Sequence, residues 1–431
     1  MRVFATLLLA ALTCRAADAD DAKARIRGIH DYAKQGPSAI PKIQPYLEDR
    51  DKEVRWAAVE AISEIGTQRA LDPLIQATND EEESIQVRAV DGLVNFYLPG
   101  YLKTGIGGSI RRATRALKGR FSDTNNDIID PYVSVRPEVI TAIGRLARGG
   151  VTMESRANAA RALGILRGKA ALPDLYEALR SRGDIVLFES LIAIQKIRDT
   201  SSGPHIQFLL RDLKDRVQIA ALETTGILRN RAAIPDLRQA VRNARNDKIR
   251  RAALTALAMM PDEGNRPLFA QYFTSKDDGL RAAAAEGYGR LGQASDLPAL
   301  EKAFQDEEQM GPRLSMAFAV VMLGKHELTE FSALQYLVNT LNSRLYRDSA
   351  EPLLAELARD PQVCKAIYPA LRKPDATREE KIRLLRILGR TGGKDTLPVV
   401  EPLKSDSDTE VALEATRAAQ NITARLPRKP D

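Results

Sequence analysis

A proline followed by an amphipathic run recurs through the middle of this chain. The prolines are separated by 31, 31, 32 and 31 residues. Each one opens a first run of apolar and polar positions with helical spacing, and a second run follows before the next proline. A fixed period of this length is typical of a solenoid, in which each unit packs only on its neighbours. The five prolines are Pro173, Pro204, Pro235, Pro267 and Pro298.

The same unit is present near the start of the chain, where Pro41 and Pro73 are 32 residues apart. Proline suits the first turn of a helix, and aspartate suits the turn or N-cap that precedes a second helix. The second run then reads Val54-Arg55, small residues and Gly66. Small residues let neighbouring helices approach closely. The pattern therefore predicts an all-α fold with two helices per repeat.

This order of proline, leucines, a turn with aspartate, Val-Arg, small residues and a terminal glycine resembles the HEAT repeat. It is most similar to the short bacterial form also found in phycobilisome-lyase-type proteins. The resemblance covers nearly the whole chain outside residues 98–136. It implies an α-solenoid, a right-handed superhelix of about ten two-helix repeats, with the second helix of each pair on the concave face. The irregular stretch is expected to be a basic insertion.

Composition and spacing predict five segments. The array should need no internal boundary, because a solenoid grows by adding units. Apolar residues make up 44% of the chain and aromatic residues 5%, so we expect a core of Ala, Leu, Ile and Val. The segments are a signal peptide (1–19), an N-terminal cap with the first HEAT repeats (20–97), the insertion (98–136), the main HEAT-repeat array (137–424) and a disordered tail (425–431).

The N-terminal residues have the features of a secretory signal peptide. Arg2 precedes an apolar run from Val3 to Leu12, and a small-x-small cleavage site ends at Ala19. Ten apolar residues are too few to span a bilayer. We therefore expect an exported protein that is periplasmic or extracellular. Attachment as a lipoprotein through Cys14 is the less favoured alternative, because the residues before it match the usual motif poorly.

The first part of the insertion, residues 98–120, carries a positive charge as large as the basic excess of the whole mature chain. Residues 98–108 form a glycine-rich loop, residues 109–121 have the pattern of a short amphipathic helix, and a polar turn follows. Between Leu98 and Arg120 there are six basic residues and no acidic one, which equals the net charge of +6 expected after removal of the signal peptide. The six are Lys103, Arg111, Arg112, Arg115, Lys118 and Arg120.

Three roles are open for this basic helix. Its arginines could lie in water while its apolar face packs on the solenoid. It could contact an anionic membrane surface, where each basic residue contributes about 1 kcal/mol, too little for firm attachment by six residues alone. It could also bind an acidic protein. Nucleic acid is the least favoured partner, because exported proteins rarely meet it and aromatic residues for base stacking are scarce.

An arginine recurs at one position of the second helix in several repeats. In the HEAT family the arginines that these resemble pair with turn aspartates of the same or the next unit, for which Asp51, Asp80, Asp247, Asp277 and Asp278 are candidates here. The resemblance therefore implies a structural ladder rather than a recognition stripe. Leu187 and Gln218 take the same position without charge. The ladder arginines are Arg55, Arg88, Arg156, Arg250, Arg281 and Arg313.

The sequence offers few groups that could converge for catalysis. Its only histidines are His30, His205 and His326, which are far apart, and no spacing typical of a metal site occurs. Cys364 is interpreted as a small buried hydrophobe. We expect no cofactor and no small-molecule substrate. A lyase-type enzyme similar to other proteins with these repeats is the alternative, and it would need a deep polar pocket with a perturbed acid or cysteine.

The remaining candidate is a protein-binding surface. Trp56, the only tryptophan, lies on the predicted second helix of the first repeat, on the same side as Val59 and Ser63. Contact with the N-terminal cap is the other interpretation of Trp56. Solenoids form extended curved surfaces, and buried aromatic anchors dominate protein interfaces. The sequence thus favours a non-enzymatic scaffold or adaptor that binds a protein partner through its concave face.

Overall fold

The computed structural model describes residues 20–102 and 127–426, and all regular secondary structure in these two ranges is helical. The helices fall into two compact units, which we describe separately. The described part of unit 1 comprises residues 20–102, 127–129 and 133–206, and that of unit 2 comprises residues 130–132 and 207–426. The predicted signal peptide, the six basic residues of the insertion and residues 427–431 lie outside the described residues.

Unit 1 begins with a helix at residues 20–33 that precedes the first repeat. Helix pairs then follow, in which a short first helix is succeeded by a longer second helix. The α-helices are α1 (20–33), α2 (Ile40–Ile43), α3 (Lys52–Ile65), α4 (Leu71–Ala77), α5 (Glu83–Tyr97), α6 (Pro137–Gly149), α7 (Met153–Ile165), α8 (Leu172–Ala178), α9 (Asp184–Ile197) and α10 (Gly203–Ile206).

Unit 2 continues the alternation of first and second helices to the end of the described chain. Its α-helices are α11 (Asp215–Ile227), α12 (Ile234–Arg242), α13 (Asp247–Ala258), α14 (Arg266–Tyr272), α15 (Asp278–Leu291), α16 (Leu297–Asp306), α17 (Met310–Met322), α18 (Ala333–Thr340), α19 (Arg347–Leu357), α20 (Pro361–Ala366), α21 (Tyr368–Arg372), α22 (Arg378–Thr391), α23 (Leu397–Val400) and α24 (Thr409–Arg425).

Short 3-10 helices adjoin many of the first helices. The periodic prolines lie where the pattern predicts, in the first turn of α8, α12, α14 and α16. The 3-10 helices are Gly36–Ala39, Gln44–Glu48, Gln68–Ala70, Lys169–Ala171, Thr200–Ser202, Gln207–Arg211, Arg231–Ala233, Glu263–Asn265, Ala294–Asp296, Lys394–Thr396 and Glu401–Ser405.

Polar side chains fix where several of the second helices begin. Asp51 caps α3 by accepting a hydrogen bond from the backbone amide of Glu53 at 2.8 Å. Asn246 does the same for α13 and Asp277 for α15. Each of these side chains satisfies a backbone donor that the first turn of a helix leaves without an intrahelical partner. The turn residues of the repeat are therefore capping residues.

Close approach of the second helices forms the core of each unit. In unit 1, a Cβ at Gly164 of α7 would lie 2.8 Å from Cα of Ala193 in α9. In unit 2, a Cβ at Gly289 of α15 would lie 2.7 Å from Cα of Ala319 in α17. Such distances exclude any larger residue without a shift of the backbone. The small residues of the repeat thus set the spacing of its helices, as the sequence predicts for an α-solenoid.

The last helix extends further than the sequence suggests. α24 runs to Arg425, which lies in the segment predicted to be a disordered tail. The Arg425 guanidinium donates to the backbone carbonyl of Gly389 at 2.5 Å and to that of Gly392 at 2.8 Å. These bonds tie the end of α24 to α22 of the preceding repeat, because they satisfy carbonyls at its C-terminus.

Among the described helices, none combines the length with the apolar character that crossing a membrane requires.

Candidate functional site

A recurring ion pair joins successive second helices in unit 1. Arg55 donates from Nε to Asp80 Oδ2 at 2.8 Å and from Nη2 to Asp80 Oδ1 at 3.2 Å. Its Nη1 also donates to the backbone carbonyl of Asp49 at 3.0 Å. Asp80 lies two residues before the N-cap Glu82 and accepts the Glu82 backbone amide at 2.9 Å. One aspartate therefore organises its own turn and holds the preceding repeat.

The same geometry recurs in unit 2 at two places. Arg281 Nε donates to Glu307 Oε2 at 2.8 Å, and Glu307 accepts the backbone amide of Gln309, the N-cap of α17, at 2.9 Å. Lys381 donates to Asp406 at 3.2 Å, and Asp406 accepts the amide of the N-cap Asp408 at 2.9 Å. Lysine at this position was not among the predicted ladder residues, because the pattern was defined by arginine.

Arg88 does not occupy the ladder position, which corrects the register read from the sequence. Four residues after the N-cap of α5 stands Gln86, whose amide donates to the backbone carbonyl of Asp80 at 2.7 Å. Arg88 lies two residues further on, with Nη2 at 3.8 Å from Oε1 of Glu60. The dipeptide Val87-Arg88 has the same sequence as Val54-Arg55. However, α3 begins three residues before Arg55, whereas α5 begins five residues before Arg88.

Two other predicted ladder arginines have different partners. Arg156 donates from Nε to the backbone carbonyl of Ala147 at 3.4 Å. The Arg313 guanidinium lies 4.9 Å from the ring centre of Tyr336 and 5.2 Å from that of Phe304. A cation over aromatic rings replaces the carboxylate there, since the ring faces carry partial negative charge.

In α13 the pairing is divided between neighbouring arginines. Arg250 pairs with Asp247 one turn before it in the same helix. The adjacent Arg251 instead reaches the next repeat, with Nη2 at 2.6 Å from Oδ2 of Asp277. Asp277 therefore pairs with the residue beside the predicted one. Asp278 pairs with Arg281 at 3.0 Å, whereas Asp51 serves as the N-cap of α3.

The three candidate partner-binding residues on α3 lie in different environments. Trp56 is partly exposed, whereas Val59 is 0% and Ser63 is 1% exposed. The Ser63 hydroxyl donates to the backbone carbonyl of Val59 at 2.7 Å, and a Cβ at Gly92 of α5 would lie 2.4 Å from its oxygen. Contrary to the expectation from the sequence, Val59 and Ser63 pack against the next repeat and contribute no exposed surface.

Trp56 belongs instead to a row of acidic side chains. Glu53, Glu60 and Glu64 lie three residues before it and four and eight residues after it, which places all of them on one side of α3. Glu53 and Glu64 are exposed, and Glu60 is half-buried. The surface at this end of unit 1 thus combines one large aromatic ring with carboxylates.

A second polar cluster in unit 1 joins α7 to α9. Arg161 binds Glu189 through two hydrogen bonds, with Nη2 to Oε1 at 2.7 Å and Nε to Oε2 at 3.2 Å. Burial lowers the pKa of Arg161, but the charge and hydrogen bonds of Glu189 outweigh it, and the net pKa is raised. Nearby, Asn158 donates to Asp91 of α5 at 3.2 Å. The sequence reasoning did not identify this cluster.

The corresponding cluster in unit 2 is centred on Arg290 of α15, whose side chain is 5% exposed. Its guanidinium binds Glu356 of α19 by two hydrogen bonds of 3.0 and 2.8 Å and Glu286 of its own helix at 2.9 Å. It lies 4.6 Å from the ring centre of Phe318 in α17. Ser315, also on α17, donates to the second oxygen of Glu286 at 3.0 Å.

The electrostatics of this cluster keep the carboxylate of Glu356 ionised. Burial raises the pKa of Glu356, but hydrogen bonding and charge from Arg290 outweigh burial and lower it overall. Burial likewise lowers the pKa of Arg290, and Glu356 and Glu286 raise it by more. A carboxylate held as an anion cannot act as a general acid near neutral pH. The arrangement is suited to holding three helices together.

Three further features of the described residues bear on possible chemistry. A depression of about 370 Å³ in unit 2 is lined by Arg242, Gly264, Pro267, Leu268, Gln271 and Tyr272, a set without a carboxylate, histidine or cysteine. Cys364 is buried, with Sγ 3.8 Å from the hydroxyl of Tyr368. In residues 20–102 and 127–426 no three histidine, cysteine or carboxylate side chains come together as metal ligands.

The buried charge clusters left only a weak signal in the sequence. Arg161 and Arg290 interrupt runs of alanine and glycine in the second helices, where the repeat otherwise has small or apolar residues. Their partners cannot be assigned from spacing, because Glu189 is 28 residues from Arg161 and Glu356 is 66 residues from Arg290. The only indication of these clusters in the sequence was a charged residue among the small and apolar residues of a second helix.

Comparison of the sequence with protein-family models finds HEAT repeats in two stretches, residues 7–93 and 234–320. A third stretch, residues 155–181, matches the PBS lyase HEAT-like repeat. These matches include α3 to α5 at one end of the chain and α12 to α17 further along. A search of curated proteins found no match.

Three solved structures that match this chain have TM-scores below 0.5. An engineered protein is 18% identical, with 89% of this chain and 98% of that chain covered and a TM-score of 0.34. The complex of CpcE and CpcF of phycocyanin lyase from Nostoc sp. PCC7120 is 17% identical, with coverage of 68% and 91% and a TM-score of 0.33. Human deoxyhypusine hydroxylase in complex with glycerol is 16% identical, with coverage of 67% and 97% and a TM-score of 0.29.

Proposed function

We propose, from the premise that this chain is a HEAT-repeat protein, that it is a non-enzymatic adaptor that binds a protein partner in the cell envelope. The proposal includes export by the N-terminal signal peptide, which the sequence of residues 1–19 supports. Binding occurs on the second helices of unit 1, around Trp56. Solenoids of this type present extended surfaces rather than deep pockets, which suits recognition of another protein.

The observation that carries this proposal is the environment of Trp56. A partly exposed tryptophan stands on α3 between the exposed carboxylates of Glu53 and Glu64, one turn before and two turns after it. Tryptophan is the residue most enriched among the dominant contacts of protein interfaces, and acidic neighbours favour a basic rim on the partner. The expected partner therefore offers an apolar pocket bordered by lysine or arginine.

The charged clusters of the second helices support the non-enzymatic part of the proposal. A lyase-type enzyme needs an acid or thiol whose pKa is shifted toward neutrality. The pKa of Glu356 is instead lowered by Arg290, and the raised pKa of Arg161 keeps that side chain charged beside Glu189. Both clusters favour a structural role. A peripheral membrane role for Arg111, Arg112 and Arg115 is the alternative supported by the sequence of the insertion alone.

The test places a photo-reactive benzoylphenylalanine at position 56 of the full-length chain in cells that export it. The matched control carries the same residue at Gln68, which is exposed on the turn before α4. We expect one defined protein to be cross-linked from position 56 and not from position 68. Cross-linking of the same proteins from both positions, or of none from position 56, would overturn the proposal.

Once that protein is identified, its affinity for the Trp56→Ala chain is measured by titration, with Trp56→Phe as the conservative variant. Loss of an aromatic anchor costs about 2 kcal/mol or more, which is a roughly 30-fold weaker Kd. Phenylalanine should restore most of it. Because Trp56 is the only tryptophan, its fluorescence reports binding by the natural chain directly. An unchanged emission spectrum at saturation would contradict contact at this residue.

A further inference from the structure

One position of the second helices holds a basic side chain that reaches a carboxylate of the next repeat. The basic residue lies four positions after the N-cap of its own helix, and the carboxylate lies two positions before the N-cap of the following second helix. The nitrogen and oxygen atoms are 2.8, 2.8 and 3.2 Å apart. The three pairs are Arg55 with Asp80, Arg281 with Glu307 and Lys381 with Asp406.

Arg313 occupies the basic position of α17, because it lies four residues after the N-cap Gln309. Its guanidinium lies 5.2 Å from the ring centre of Phe304 and 4.9 Å from that of Tyr336. Within the described chain this side chain forms no salt bridge, not even with the exposed Glu308 of the preceding turn, and its Nε is buried without a hydrogen-bond partner. The two rings hold the guanidinium in place but leave its charge without a carboxylate.

A second arginine occupies the position that supplies the carboxylate in the other three pairs. The next second helix, α19, has Tyr346 as its N-cap, and Arg344 lies two residues before it. Arg344 is exposed and forms no salt bridge or side-chain hydrogen bond with any described residue. The pKa of Tyr336 is raised by burial, an effect that Arg313 opposes and Tyr346 increases. The turn that carries Arg344 is therefore close to the ring over which Arg313 lies.

We propose that Arg313 and Arg344 form a carboxylate site, which binds an acidic side chain from a segment of a protein partner. Three other repeats hold a carboxylate at the equivalent place, so the fold accommodates one there. Two guanidinium groups that repel each other are stabilised by an anion between them, and arginine binds carboxylates through paired hydrogen bonds. Leu345, beside Arg344, is 85% exposed and offers an apolar contact to the neighbour of the bound acidic residue.

This carboxylate site uses residues of unit 2 only and none of those around Trp56. The Trp56 surface is acidic and takes a basic partner under the proposal above, whereas the carboxylate site is basic and takes an acidic segment. Loss of binding at one surface therefore leaves the other proposal unaffected.

Replacement of Arg344 by an acidic residue gives a test that misfolding cannot imitate. Arg344→Glu supplies Arg313 with a carboxylate from within the chain, as Glu307 does for Arg281. This internal carboxylate should stabilise the fold and should also exclude an external one. Stability and binding therefore change in opposite directions, whereas a misfolded variant loses both.

The matched control is Lys276→Glu. Lys276 is exposed in the turn before α15, and its replacement makes the same change of charge in a turn where Asp277 already pairs with Arg251. The probe is a fluorescein-labelled peptide with blocked ends in which leucine and glutamate alternate. Its binding to the full-length chain at low salt is followed by fluorescence anisotropy, with glutarate and inorganic phosphate as competitors. Every chain also carries three changes that remove the contribution of the basic insertion, Arg111→Glu, Arg112→Glu and Arg115→Glu.

We expect Arg344→Glu to bind the peptide roughly ten-fold more weakly, and Lys276→Glu to change binding by less than about two-fold. Arg344→Glu should melt roughly 1–3 °C above Lys276→Glu, and this difference should disappear when Arg313→Gln is added to both chains. Peptide binding that is absent from the parent chain, retained in Arg344→Glu or lost equally in both variants would overturn the proposal. Equal melting temperatures of the two variants would also overturn it.

The competitors test the chemical class of the ligand. The peptide should bind more tightly than glutarate, because Leu345 adds an apolar contact that glutarate lacks. Glutarate that binds as tightly as the peptide would contradict the assignment to a protein segment. Displacement of the peptide by phosphate at a lower concentration than by glutarate would contradict the assignment to a carboxylate.

Discussion

Each unit contains a buried charge cluster that connects its second helices, but the two clusters connect different numbers of helices. In unit 1, Arg161 and Glu189 join adjacent repeats through one bidentate pair. In unit 2, Arg290 spans two repeats to Glu356, passing over Phe318 of the helix between them, and also binds Glu286. The unit 1 pair is therefore a local clamp, whereas the unit 2 cluster links α15, α17 and α19. Similar residue types thus contribute differently according to how many helices they connect.

Removal of the central arginine of unit 2 should produce the largest effect. Arg290→Met leaves two half-buried carboxylates, Glu286 and Glu356, without their main partner, and loss of one member of a buried ion pair typically costs about 3–5 kcal/mol. The free energy of unfolding from urea denaturation tests this. The matched control is Arg229→Gln, because Arg229 also faces Glu356 but is 57% exposed, and it should cost less than about 1 kcal/mol. Equal losses of unfolding free energy in the two variants would contradict the conclusion that Arg290, and not Arg229, is the main partner of Glu356.

Replacement of Arg161 or Glu189 in unit 1 should destabilise the protein less than replacement of Arg290. Arg161→Met and Glu189→Leu should each cost about 2–3 kcal/mol, slightly less than loss of Arg290, because each change leaves only one charged side chain without its partner and Arg161 is 19% exposed. The double variant should lose less free energy of unfolding than either single variant, because two apolar side chains leave no buried charge without a partner. A double-mutant cycle in urea measures this coupling. Additive losses would show that the two side chains do not act as a pair.

The smallest expected effect is on the pH dependence of stability, through Glu356 of the unit 2 cluster. The pKa of Glu356 is lowered from 4.5 in the folded chain, so its contribution to stability is complete above the unfolded value and is lost as pH falls through the folded value. Thermal melts from pH 6 downward should therefore show a smaller acid-induced loss of Tm in Glu356→Gln than in the natural chain. Parallel Tm curves below pH 4.5 would contradict the assigned shift.

The regular features of the repeat followed directly from the sequence. The prolines at 31- and 32-residue intervals lie in the first turns of first helices, and the second runs form the second helices that follow them. The HEAT-like solenoid fold was identified in this way. These features could be predicted because helix starts, caps and apolar stripes depend on residues within about one turn of each other.

The candidate surfaces were less predictable. Val59 and Ser63 share a helix side with Trp56 in a projection, but the approach of α5 buries both and leaves the tryptophan partly exposed. The ladder failed at Arg88 because a two-residue change in where α5 begins moves Gln86 into its place. One residue along a helix rotates a side chain by about 100°, so small errors of register change which surface it faces.

The sequence by itself determined that this protein is a repeat array, where its helices lie to within about a turn and which residues keep them close. Those properties follow from local hydrogen bonding and from a period that repeats along the chain. Only the tertiary structure decided that Arg290 meets Glu356 and that Val59 and Ser63 are buried beside Trp56. Those features depend on how far apart packed helices lie and how each one ends, which side chains distant in sequence determine together.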